Sequence, residues 1–258
     1  MFSSSLLVVG LISITQGLTD SVAEDKKILA GTTVTQVLLR ENRFNTSICG
    51  GALFHPYYVI TASQCVLHYH PHQLSVFFDT PLYDKKYNYT IQKIIIHPYY
   101  EYTSGMHDIA LIKLSSPVPK GSGILYGIMP EPDENIMNGR PVTVVSFGKR
   151  LIFNQVQLLH NKLNIVSWRI CKSEYERFGF LITQNYVCAR NASLGSCIGS
   201  VGFPLVDMQN RFIGIATFPF RCGPLPKSNL PSVYIRVSSY FYWIYLTVFL
   251  NTPTTYHQ

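Results

Sequence analysis

Runs of four to eight apolar, β-branched and aromatic residues recur along most of this chain, and they limit what it can fold into. TVTQVLL (33–39), YYVITA (57–62), LSVFF (74–78), YTIQKIIIH (89–97), DIALIKL (108–114), PVTVVSF (141–147), RFIGIATF (211–218) and SVYIRV (232–237) are divided by Gly, Pro, Asn and His-Pro breakers. Val, Ile, Tyr and Phe suit a pleated, half-buried surface, and runs this short are strands rather than helices. The pattern predicts an all-β barrel or sandwich. Helical periodicity is weak until YFYWIYLTVFL (240–250), which predicts a terminal helix docked on the β structure. That run is too short to span a bilayer, and the polar tail at 251–258 disfavours a lipid-anchor signal. A proline-rich stretch, GIMPEPDENIMNGRP (127–141), interrupts the strands and is expected to link two halves of similar size.

Composition narrows the function classes. With 258 residues, 47% apolar and 14% charged, the chain can bury a large core and is not disordered. Positions 1–17 (MFSSSLLVVGLISITQG) read as a secretory signal, followed by a short polar segment at 18–27. Secretion agrees with the sequons at Asn45, Asn88 and Asn191. The six cysteines 49, 65, 171, 188, 197 and 222 are then expected as disulfides. Spacing favours Cys49 with Cys65 and leaves the other four open. Without a CxxC pair or an HxxxH near them, no metal and no cofactor is expected. The tract His68, His70, His72 is read as a surface loop, because Pro71 breaks any helical register. The formal net charge of +7 keeps the protein soluble or serves heparan sulfate or an anionic surface, while no motif supports nucleic-acid binding.

Five segments, in order, resemble the trypsin-like (chymotrypsin-fold) serine protease family. They are ILAG (28–31) after Lys27, CGGALFHPYYVITASQC (49–65), DIALIKL (108–114), CIGSVGFPL (197–205) and PSVYIRVSSYFYWI (231–244). The resemblance covers about 28–250. It implies two six-stranded antiparallel β-barrels with a C-terminal α-helix, and cleavage between Lys27 and Ile28. It also implies disulfides Cys49–Cys65, Cys171–Cys188 and Cys197–Cys222. A further bridge common in the family would need cysteines at Val142 and Asp207, and both are missing together.

The same alignment removes the chemistry. The family attacks with Ser, takes the proton with His and orients that His with Asp. Here the His position holds Gln64, a carboxamide that cannot act as base and then acid near neutral pH. The nucleophile position holds Val201, without lone pair or transferable proton. Asp108 remains, with no imidazole to orient. Ser200 stands one residue early, where the family's acid pairs with the new N-terminus. His107 stands beside Asp108 but is expected to diverge from it. Gly199 keeps the oxyanion-hole glycine. The specificity pocket is altered at Gly195, Thr217, Phe218, Pro219 and Ser232, and Phe203 stands where the family has a close-packed glycine. The expectation is a secreted, catalytically inactive homologue that binds a receptor, a protease or a complex. The alternative is a basic protein for heparin or anionic surfaces, as azurocidin is in that family. A residual endopeptidase comes last.

Overall fold

The computed structural model describes residues 36–80, 85–120, 124–147, 158–191, 201–217 and 230–252. Twelve strands form two closed antiparallel barrels. The first contains β1 (Gln36–Glu41), β2 (Thr46–His55), β3 (Tyr58–Thr61), β4 (Leu74–Thr80), β5 (Lys85–Ile96) and β6 (Ala110–Leu114), in the spatial order 1-2-3-6-5-4. The second contains β7 (Pro141–Phe147), β8 (Leu158–Val166), β9 (Tyr186–Arg190), β10 (Pro204–Asp207), β11 (Phe212–Ala216) and β12 (Ser232–Arg236), in the order 10-11-12-9-8-7. Closure leaves neither sheet with a free edge, which settles the edge problem of an all-β chain.

Strand β3 shows why its sequence does not alternate. All four of its residues are buried. Val59 faces the core of the first barrel, whereas Tyr58 and Ile60 face a second cluster with Phe212, Ile215, Val233 and Ile235 of the other barrel. A strand buried on both faces reads as a continuous apolar run. Strand β11, FIGIA, is built the same way. The barrels therefore share a core in addition to their own interiors. Residues 127 and 128 staple them as well: Gly127 N donates to Leu53 O at 2.8 Å, and Phe212 N donates to Ile128 O at 2.8 Å.

Two helices complete the described residues. Helix α2 (Phe241–Asn251) falls where the periodicity places it. Helix α1 (Trp168–Glu176) lies in a stretch with no helical signal in the sequence reading. It is short and polar, and only Cys171 and Tyr175, one turn apart, are buried. Ser167 caps it by accepting from Ile170 N, and the Cys171–Cys188 disulfide ties it to β9. Cys49–Cys65 joins β2 to the turn after β3. The implied Cys197–Cys222 pair lies outside the described residues, as do 1–35 with the signal and the Lys27–Ile28 bond.

Val142 and Asp207 face each other across the β7–β10 ladder, so the positions of the missing bridge are indeed partners. An ion network stands there. The buried Asp207 carboxylate accepts from Arg140 and, at 2.9 Å, from Arg211 Nε, while Glu134 bonds Arg140 at 2.8 Å. Burial alone would raise the Asp207 pKa, but the Arg211 and Gln209 donors hold it below the usual carboxylate range. Its stabilisation is therefore present above that range and fades as acid protonates it. Asp207→Ala should cost about 3 kcal/mol in denaturant unfolding, since it removes the buried carboxylate that Arg140 and Arg211 share and leaves both to Glu134 alone.

Candidate functional site

Pairing of β3 with β6 sets Thr61 opposite Ala110, and that register brings the residues just beyond each strand together. Beyond Thr61 the chain makes a 3₁₀ turn, Ser63–Cys65, which carries Gln64. Just before Ala110 lies Asp108, fully buried. Ser63 Oγ donates to Ile109 O at 2.7 Å and fixes the turn against the strand. Gln64 then donates twice to the acid, from its backbone N to Oδ1 at 2.9 Å and from Nε2 to Oδ2 at 2.5 Å. The hydroxyl of Thr217, at the end of β11 in the other barrel, donates to the same Oδ2. Asp108 thus binds both barrels.

The electrostatics follow from this. Burial raises the Asp108 pKa, and the hydrogen bonds from Thr217, Gln64 and Ser63 only partly counter it. Among the described residues its hydrogen-bond partners are neutral donors. Gln64 keeps its amide NH₂ turned into the carboxylate, and an amide offers no basic lone pair in exchange.

Val201 reaches the junction from the second barrel. Its carbonyl accepts from Gly50 N at 2.8 Å, and its half-buried side chain packs on the first barrel's core, beside the cluster that holds Ala62 and Cys65. The next residue, Gly202, has φ of +84°, and a Cβ there would lie 2.3 Å from Gly50 O and 2.6 Å from Thr61 Oγ1. Only glycine passes this gap. Phe203, which stands where the family has a close-packed glycine, is accommodated. It is fully buried with Leu38 and Phe77, and its ring lies where a Gly50 Cβ would come within 2.3 Å. Gly50 supplies the room.

His107 does diverge from Asp108. It adopts φ of +55°, and its ring stacks on His97 with centroids 5.1 Å apart and planes 9° from parallel. Its Nδ1 lies 3.1 Å from Tyr240 Oη. Trp243 covers His97 from helix α2 at 4.8 Å. The sequence reading counted His97 only as a strand breaker, so this buried contact was missed. Thr217 was read as pocket wall, and its bond to Asp108 was missed too. Ser232 is half-buried at the start of β12, opposite Ala189. Gly195, Gly199, Ser200, Phe218 and Pro219 lie outside the described residues. His70 and His72 stack on each other with centroids 5.8 Å apart.

Comparison with known proteins now decides the family, because the trypsin family's model matches residues 27–244. The chain belongs to the trypsin family. It is 30% identical over 205 residues to transmembrane protease serine 11E of Mus musculus, covering 76% of this chain and 48% of that protein. It is 30% identical over 224 residues to the clotting factor G beta subunit of Tachypleus tridentatus, covering 76% and 70%. It is 27% identical over 209 residues to trypsin of Sarcophaga bullata, covering 79% and 80%. The chain spans about half the length of the first of these relatives, covering 48% of it. Its architecture is similar to the crystal structure of scabies mite inactivated protease paralogue S-I1, with a TM-score of 0.71 at 23% identity over 86% of this chain and 98% of that one. No helix among the described residues of this trypsin-family chain is long and apolar enough to cross a membrane.

Two outcomes test the packing around the site. Gln64→Ala should cost about 2 kcal/mol by removing a donor from a buried acid, and Gln64→His should recover most of it. Burial, with His107 adding to it, lowers the His97 pKa to about 4 from 6.5. A base with a depressed folded pKa is more protonated when unfolded, so its neutral form supports the fold above pH 6.5 and that support is lost as pH falls toward 4. The unfolding free energy of the native chain should fall more steeply over that window than that of His97→Phe, by up to about 3 kcal/mol in denaturant titrations.

Proposed function

We propose that this chain is a secreted trypsin-family homologue without peptidase activity, acting through its surface on a protein partner. The observation that carries the reading is the pair Gln64 and Val201 at the family's base and nucleophile positions. A peptide bond needs a nucleophile that gains electron density as its proton leaves, and a base that takes the proton and returns it to the leaving amine. Valine offers no such proton. The glutamine amide, turned to donate to Asp108, offers no base. In subtilisin, losing nucleophile and base together lowers turnover on the order of 10⁶-fold. His107 is not placed to substitute as base, since its ring is turned onto His97 and Tyr240.

The rest of the reading concerns export and processing. Residues 1–17 are taken as the signal, 18–27 as a propeptide-like segment and 28–250 as the protease-like domain. With Ser200 in place of the family's acid, a freed N-terminus would lack a carboxylate partner, so switching by cleavage after Lys27 is absent. Asn45, in the exposed β1–β2 turn, and Asn88, exposed on β5, are open to glycans. Asn191 donates to Lys162 O at 3.0 Å.

A fluorophosphonate probe and a peptide-substrate panel, applied to the purified secreted chain, test the reading. The expected result is no covalent labelling and no turnover above buffer. Specific labelling of the native chain, or turnover above buffer, would overturn it. Val201→Ser with Gln64→His should gain weak labelling, because it restores the two missing functions while the altered pocket remains.

A further inference from the structure

Helix α2, FYWIYLTVFLN, carries no charged side chain, and of its residues only Ile244 is fully buried. Tyr242, Tyr245, Leu246 and Leu250 fall at i, i+3, i+4 and i+8, which places them on one stripe of the helix. That stripe faces solvent, each side chain being 52% to 76% exposed. A surface helix normally sets polar residues there, and one apolar on both sides is suited to a second apolar contact. The ring of Tyr245 stacks between Phe241 and Phe249, with centroids 6.3 Å and 6.2 Å away, so the stripe is held stiff.

Charge and shape indicate the occupant. Among the described residues, the charged groups that hydrogen-bond to the helix are lysines: Lys93 Nζ donates to Asn251 Oδ1 at 3.3 Å and Lys113 Nζ to Asn251 O at 2.5 Å. The whole chain carries +7. The helix is about 16 Å long at 1.5 Å per residue, half a bilayer core, so it can lie in an interface but not cross it. Tyrosines and leucines share the exposed stripe, and tyrosine is a residue enriched at membrane–water interfaces. A convex stripe without charges offers a protein partner little to fix its register, whereas a lipid surface requires none. We propose that α2 is a docking face for an anionic lipid surface, with Tyr242, Tyr245, Leu246 and Leu250 entering the headgroup boundary and the lysines at its end meeting the negative charge. Lipid docking by α2 does not depend on whether the chain cleaves peptides, and hydrolysis is not its readout.

The test uses the secreted full chain and sedimentation with vesicles of phosphatidylcholine alone or mixed equally with phosphatidylserine. Association with the mixed vesicles is expected, weakened by added salt. Tyr245→Asp with Leu246→Asp should reduce it by about tenfold or more without lowering the melting temperature. Tyr242→Ser with Leu250→Ser is the second, milder probe of the same stripe, and Lys93→Glu should weaken binding chiefly at low salt. No association with mixed vesicles, or association unchanged in both double variants, overturns the proposal. So does a dimer in size-exclusion chromatography that the stripe variants dissolve while native chain ignores vesicles, since the face would then be covered by a second copy.

Discussion

Asp108 is a carboxylate removed from water at the place where two barrels meet, and the local structure is organised around satisfying it. An acid in such a position costs several kcal/mol unless donors replace its hydration. The donors come from both sides, Gln64 from the turn after β3 and Thr217 from the end of β11. The second barrel therefore supplies part of the first barrel's polar requirement. The neighbouring contacts follow from this placement. Ser63 ties the turn to Ile109, Gly202 threads between Gly50 and Thr61, and Phe203 fills the space over Gly50.

This dependence separates what the fold needs at position 64 from what hydrolysis needs. The acid requires a planar donor in reach of Oδ2, and the amide Nε2 meets that requirement at 2.5 Å. Proton transfer requires a group that changes charge near neutral pH, which an amide does not do. Gln64 therefore satisfies the buried carboxylate with a group that does not titrate near neutral pH. Position 201 divides in the same way. Its carbonyl serves Gly50 N and its side chain packs on the first barrel's core, and neither role calls for a hydroxyl.

The same division explains what could be read from the sequence. The β-branched runs announced the strands whose burial is continuous, as in β3, and the apolar periodicity announced α2. Strand β2 was hidden because Gly50 and Gly51 break its pattern, although the packing demands them: a Cβ at Gly51 would lie 2.8 Å from Val59. Helix α1 was hidden because a disulfide and a serine cap hold it, not a wide apolar face. The family frame pointed to Gln64, Asp108 and Val201 by their places in motifs, and the structure brings Gln64 and Asp108 into contact. The Thr217 bond and the His97–His107–Tyr240–Trp243 cluster were not, since both join residues more than a hundred positions apart through tertiary contact alone.

The pairing of Val142 with Asp207 carries one further step. A disulfide there would link β7 to β10 and nothing else. The buried Asp207 instead reaches Arg140 and Arg211, and through them Glu134, so the connection extends from β10 into the segment between the barrels. Arg236 adds a bond from β12 to the backbone of Glu134 at 2.5 Å. An ionic network of this kind contributes little net stability over apolar packing, yet losing one member strands the others. It constrains the folded state, whereas a cross-link acts mainly by restricting the unfolded chain. The second barrel's closure therefore depends on protonation in a way that a covalent bridge would not.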